Sequence, residues 1–199
     1  YEAAQVRAGD LEQLDQIARA HKKYVKLQDE RMELIRKGKD FEGPAEKKYR
    51  RTRHDLMEKV RLIKLSNGRI EELVDQLYGL NRRLLGLEGQ LLRLAERGGV
   101  KREDFLTHYT GTETAPNWAR RVARLTSRGW KNVAGKYKDD VRQLRQSVLE
   151  IAELTKLPVQ EYKRMVTTVQ QGDRESNQAK KEMIEANLRL VISIAKKYT

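Results

Sequence analysis

Apolar residues recur along this chain at spacings of three and four, and almost nowhere at spacings of two. That period gathers them on one face of an α-helix, whereas a half-buried strand would alternate residue by residue. From Asp10, the positions Leu14, Ile17, His21, Val25, Met32 and Ile35 stay close to helical spacing, and Lys37-Gly38-Lys39 ends that helix. Gly43-Pro44 opens the next one. A proline in the first turn has no intrahelical N–H bond to lose. The pattern then predicts the longest stretch of all: Leu56, Val60, Ile63, Ile70, Val74 and Leu77 continue one seam, with Asn67 standing in an apolar place. A denser seam, Leu73, Leu77, Leu80, Leu84, Leu87, Leu91 and Leu94, alternates four and three without a break, the repeat of a stripe facing a partner helix. Gly79, Gly86 and Gly89 lie inside it, and each costs up to about 1 kcal/mol of helix stability relative to Ala. Close packing of another helix is the expected compensation. Gly98-Gly99 closes the element.

From Val100 to Gly129 the pattern is broken, with turns at Thr110-Gly111 and Ala115-Pro116-Asn117 around short helices. A further helix is predicted from Trp130 to Leu157, carrying Trp130, Val133, Tyr137, Val141, Leu144, Val148 and Ile151 on one face. Pro158 restarts a short helix that Gly172 stops, and Asp173 or Ser176 then caps a last helix running to the end. The fold class is therefore all-α, an elongated bundle of long helices with coiled-coil-like packing.

Composition sharpens this. Among 199 residues, 42 Lys and Arg stand against 29 Asp and Glu, a net charge of +13, and 38% of the chain is hydrophobic against 36% charged. Soluble domains average about 45–50% apolar, so the core must be thin, and the excess of cations anticipates a polyanion or an acidic partner. The absence of cysteine excludes a disulfide framework and thiolate metal sites, which suits a reducing, cytoplasmic setting. No apolar run approaches the roughly 20 residues of a membrane span, and no signal-peptide pattern opens the chain. It begins at Tyr1 and stops at Thr199 within a helical pattern, as a piece of a longer protein would.

Catalytic and metal chemistry find little support. His21, His54 and His108 are read as isolated, without a carboxylate or second His at ligand spacing, and no nucleophile elbow or phosphate-cradling glycine loop is present. Glu71-Glu72 and Asp139-Asp140 are adjacent pairs, which do not share a helix face. Leu73, Leu80, Leu87 and Leu94 are seven apart, downstream of a basic stretch holding Lys47, Lys48, Arg50, Arg51, Arg53, Lys59, Arg61 and Lys64. This imitates a dimeric basic zipper. The base-reading pattern of that class is missing, however, and Leu77, Leu84 and Leu91 widen the seam toward a bundle within one chain, or a structural coiled-coil module. A second basic stretch, between Trp118 and Lys138, contains Arg120, Arg121, Arg124, Arg128, Lys131, Lys136 and Lys138 and no acid, with Trp118, Trp130 and Tyr137 interleaved. With the tryptophans in the core, Arg120, Arg121, Arg124 and Lys131 become candidates for phosphate contacts, the alternative being a solvated face.

The segment from Ala179 to Thr199, reading Ala-Lys-Lys-Glu-Met-Ile-Glu-Ala-Asn-Leu-Arg-Leu-Val-Ile-Ser-Ile-Ala-Lys-Lys-Tyr-Thr, closely resembles the opening of conserved region two in primary (housekeeping) sigma factors of bacterial RNA polymerase. Leu157 to Gln171 resembles the family's approach to that helix, with Pro158 where a helix-starting Thr is usual. Leu77 to Phe105 resembles the variable insert between regions one and two in its alphaproteobacterial form. The resemblance implies an insert over 1–172 and a truncated first helix of region two over 173–199. It further implies a parent that binds core RNA polymerase and directs promoter recognition and opening. From the missing motifs the chain is expected to be a non-enzyme without cofactor or metal, and from the widened leucine seam a monomer, with a regulatory protein as a further candidate partner. By the same resemblance, Asn187 and Leu190 of Glu185-Ala186-Asn187-Leu188-Arg189-Leu190-Val191 help line a pocket for a flipped base of the non-template strand. Because Leu188, Leu190, Val191, Ile192, Ile194 and Ala195 occupy almost every side of this helix, burial on several sides is expected.

Overall fold

A computed structural model describes residues 2–38, 41–63 and 65–198. Among these residues there are eight α-helices and no strand: α1 (Glu2–Arg36), α2 (Pro44–Arg61), α3 (Asn67–Gly98), α4 (Arg102–Tyr109), α5 (Trp118–Ala123), α6 (Arg128–Ala134), α7 (Lys138–Thr155) and α8 (Val159–Ala195). The all-α expectation holds. The chain divides into two units, Tyr1–Gln160 and Glu161–Thr199.

Within the first unit, α1 and α2 pack on each other. Tyr24 of α1 stacks on Tyr49 of α2 with ring centroids 5.6 Å apart, and the Arg31 guanidinium lies 5.0 Å over the Tyr49 ring. From Leu11 onward the buried positions of α1 are Ala20, Leu27, Gln28 and Met32, so the buried stripe keeps Met32 of the expected face while His21 is exposed. Lys39 and Lys64 lie outside the described residues. The seam expected to run helically from Leu56 to Leu77 is interrupted: α2 ends at Arg61 and α3 begins at Asn67 after an extended Ser66. Ser66-Asn67-Gly68 is a cluster of turn formers, and their local preference outweighs the continuing apolar period.

α3 packs along α7 and also touches α4 and α6. Its buried residues are Leu84, Leu91, Ala95 and Gly98, while Leu73 and Leu85 are exposed. The deep stripe thus uses the C-terminal half of the leucine seam inside one chain. Complete burial of a leucine is worth about 1.5–3 kcal/mol, so this packing holds the seam in the bundle and the dimeric zipper is not favoured. The expectation that Gly79, Gly86 and Gly89 mark close helix packing is not met, because a Cβ at any of them would meet nothing within 4 Å. Close approach occurs at other glycines. Gly99 ends α3 at φ 95°, its N–H donating to the Ala95 and Glu96 carbonyls. A Cβ on Gly129 of α6 would stand 2.6 Å from the Gly99 carbonyl carbon and oxygen.

The helix expected from Trp130 to Leu157 is two helices. α6 stops at Ala134, and α7 restarts at Lys138 with Asp139 and Asp140 in its first turn, where carboxylates favour the positive end of the helix dipole. Trp130, Val133, Val141, Val148 and Ile151 are nevertheless all buried, so their period survives the break. α7 ends at Lys156, a non-glycine residue at φ 56°. Its carbonyl accepts from the Gln28 amide and its ammonium lies 2.7 Å from Asp29, which ties α1 to this left-handed turn.

Gly172 does not stop a helix, and neither Asp173 nor Ser176 is a cap, because α8 runs through all three. A single interior glycine costs about 1 kcal/mol. Here the strong helix formers that follow it, and i,i+4 side-chain bonds such as Gln171 to Glu175 at 3.0 Å and Gln178 to Glu182 at 2.8 Å, offset that cost. Every described residue from Gln171 to Tyr198 is exposed. Among the described residues, the expected burial of Leu188, Leu190, Val191, Ile192, Ile194 and Ala195 is therefore not found, and within the second unit this one helix has no second element to cover it.

Candidate functional site

The basic stretch between Trp118 and Lys138 rests on an aromatic floor. Trp118 and Trp130 are fully buried, as expected, with ring centroids 6.1 Å apart, and Phe105 and Tyr109 complete the cluster. Both indoles satisfy their N–H donors, as buried tryptophans must. Trp118 donates to the His108 carbonyl at 2.8 Å and Trp130 to Asp104 at 2.7 Å. Asn132 donates to the Gly98 carbonyl at 2.9 Å, fixing α6 on the end of α3.

This floor fixes two short helices that carry the four candidate cations. Arg120 and Arg121 lie on α5, Arg124 caps its C-terminus and Lys131 lies on α6, and all four are exposed. Their roles divide. Arg121 donates to Thr112 Oγ1 at 2.8 Å and to the His108 carbonyl at 3.3 Å, so part of its hydrogen-bonding capacity braces the α4–α5 turn. Arg120, Arg124 and Lys131 form no ion pair with another described residue, and their charge is available to a partner.

His108 is not isolated, contrary to the sequence reading. Its Nε2 lies 3.4 Å from Asp104 Oδ1 one helical turn earlier, and its ring meets Trp130 edge-on at 5.6 Å. Since Asp104 also holds the Trp130 indole, the pair is part of the core scaffold. No group of three or more His, Cys, Asp or Glu able to hold a metal occurs among the described residues. Among the described residues, no helix is long and apolar enough to cross a membrane.

Sequence reasoning missed Arg145. Its guanidinium covers the Trp118 ring at 4.4 Å and donates to the Ala115 carbonyl at 2.8 Å, and burial lowers its pKa from the ordinary value, with Tyr109 and Glu113 opposing that shift. The signal was present. Arg145 follows Val141 by four and precedes Val148 by three, which places it on the buried stripe of α7. Glu113, also missed, is buried and accepts from the Gly111 N–H at 2.9 Å and from the Gln160 amide.

Asn187 and Leu190 lie on the exposed length of α8, three residues apart and so on one face. Leu190 is 59% exposed, and the Asn187 side chain makes no hydrogen bond with another described residue. Neither residue serves the core of this chain. They belong to the second unit, and the cations of α5 and α6 belong to the first.

The first unit is all-helical and carries these cations over an aromatic cluster, and α8 is exposed from Gln171 to Tyr198. Over residues 2–152 the chain matches the family described as Sigma-70, non-essential region, and it belongs to that family. A curated relative, the RNA polymerase sigma factor RpoD of Neisseria gonorrhoeae, is 27% identical over 155 residues, which cover 77% of this chain and 24% of the relative. The chain therefore spans about a quarter of the length of the curated relative it matches.

Proposed function

We propose that this chain is the insert (1–172) and the truncated first helix of region two (173–199) of a primary sigma factor of the alphaproteobacterial type. The parent binds core RNA polymerase in the cytoplasm and directs promoter recognition and opening, without catalysis or cofactor of its own. The observation that carries this reading is membership of the sigma-70 non-essential region family across 2–152. The resemblance of Ala179–Thr199 to the opening of region two extends it to the end of the chain.

On this reading the exposed apolar positions of α8 meet the remainder of the parent, and Asn187 and Leu190 help hold an unstacked base. An Asn amide both donates to and accepts from a base edge, and Leu packs on its face. Arg120, Arg124 and Lys131, with Arg121 in part, meet phosphates of promoter DNA. Asn187→Ala in the full-length parent should weaken open complexes on a promoter carrying the consensus base by about 1–3 kcal/mol. The loss should nearly vanish when that base is replaced. Equal losses on both promoters, or a matching fall in thermal stability, would return Asn187 to a structural role.

A further inference from the structure

A cleft of about 590 Å³ is lined by α5, α6 and α7, with Trp118 in its lining. Its walls are apolar, built by Pro116, Ala119, Ala123, Val133, Val141 and Leu149. Its mouth is cationic. Arg120, Lys138 and Arg142 line it and are exposed, and none of them is engaged in an ion pair with another described residue. The other charged residues that line it are already committed: Arg36 pairs with Glu153 at 2.6 Å, Arg145 lies over Trp118, and Glu113 takes the Gly111 N–H and the Gln160 amide. Free positive charge thus surrounds an open apolar cavity.

We propose that this cleft is a docking site for an acidic amphipathic helix of a partner protein. Apolar anchors one turn apart would fill the walls, and carboxylates flanking them would meet Arg120, Lys138 and Arg142. The charge pattern selects this occupant, since an apolar groove ringed by unpaired cations is complementary to anchors flanked by acids. Nucleic acid fits less well. Phosphates use cations but gain nothing from alanine and valine walls, and a base needs an open aromatic face. Trp118, the aromatic ring that lines the cleft, is fully buried and carries the Arg145 guanidinium 4.4 Å from its ring centroid. The inference does not rest on the DNA contacts proposed above, and Lys138 and Arg142 take no part in them.

The test measures fluorescence anisotropy on the whole 199-residue chain with three labelled probes. One is a synthetic helical peptide with Leu and Phe on one face and Glu and Asp on the other. The second has the same charge with its anchors replaced by Ser, and the third is duplex DNA. The anchored peptide should bind at least about tenfold more tightly than the Ser control. Ala123→Trp, which fills the cleft from an exposed position, should remove that advantage while leaving DNA binding unchanged. Lys138→Glu with Arg142→Glu should weaken the anchored peptide by about tenfold or more and flatten its salt dependence. Circular-dichroism melting checks that each variant folds. If Ala123→Trp does not fold, Ala119→Leu replaces it as the blocking variant. Equal binding of the two peptides, no binding of the anchored one, or indifference to the blocking variant would overturn the proposal. DNA binding that is lost on blocking the cleft would overturn it in favour of a nucleic-acid groove.

Discussion

A methyl group at Gly129 would stand 2.6 Å from the carbonyl carbon and oxygen of Gly99, backbone atoms with nowhere to move. Gly129→Ala should therefore cost about 1–3 kcal/mol in urea unfolding, as overpacking does. Gly86, exposed on α3 with nothing within 4 Å of a Cβ, should behave in the opposite sense. Gly86→Ala should gain about 0.5–1 kcal/mol by the same measurement. The two glycines look alike in the sequence and differ only in what stands across from them. Tyr109 offers a second contrast. Its hydroxyl is buried without a hydrogen-bond partner among the described residues, and burial, then Glu88 and Glu113, push its pKa well above the ordinary value, with Arg145 opposing. Tyr109→Phe removes a buried unsatisfied group and should raise stability at neutral pH by about 1 kcal/mol. The sign at high pH follows from proton counting. Above about pH 10 the unfolded chain releases a phenolic proton that the native state retains, so stability falls as pH rises. Tyr109→Phe should make that alkaline fall shallower, which stability curves measured on both sides of pH 10 would show.

The leucine seam of α3 contains positions of unequal weight. Leu84 and Leu91 are fully buried, and Leu84→Ala or Leu91→Ala should each cost about 2–5 kcal/mol. Leu73 and Leu85 are exposed, and alanine there should change stability by no more than about 0.5 kcal/mol. A symmetric zipper would instead make Leu73, Leu80, Leu87 and Leu94 the sensitive set. Sedimentation equilibrium should show a monomer, and a tight dimer abolished by Leu80→Lys with Leu87→Lys would reverse this assignment. Most helices were legible from spacing, because spacing reports which face is apolar. Their ends were less so. The break before Asn67 and the division of α6 from α7 both lie where the apolar period continues across a turn, and periodicity cannot see a change in backbone direction that leaves the same face inward. Gly172 failed as a stop signal for the converse reason: a lone glycine costs only about 1 kcal/mol, too little by itself to end a helix.

With a net charge of +13, the chain carries a field that acts beyond any single contact. If the α5–α6 cations hold promoter DNA in the parent, replacing Arg120, Arg121, Arg124 and Lys131 by alanine should weaken binding at low salt. The slope of log K against log salt should become shallower by about 0.9 for each cation that meets a phosphate. All promoters should be affected alike, since phosphate contacts carry no sequence information directly. Arg121→Ala alone should also lower thermal stability, because its bonds to Thr112 and the His108 carbonyl would be lost. An unchanged salt slope in the quadruple variant would assign the patch to solubility.

Helical class, the burial of the two tryptophans and the basic stretch were legible in the order of residues, because each depends on local period or local composition. Trp118 and Trp130 are buried as their context required, and the end of α3 at Gly98-Gly99 followed from glycine's ease at positive φ. Folding settled which of several equivalent positions meet something. It closed Gly98, Gly99 and Gly129 against one another while leaving Gly79, Gly86 and Gly89 facing open space. It joined His108 to Asp104 and the Trp130 indole, and it divided the four cations, bonding the exposed Arg121 to Thr112 and the His108 carbonyl. It also placed Arg145 over Trp118 and formed the cleft beside them, from residues as far apart in sequence as Arg36 and Leu149. Contacts of that kind join residues many turns apart, and no local periodicity encodes them.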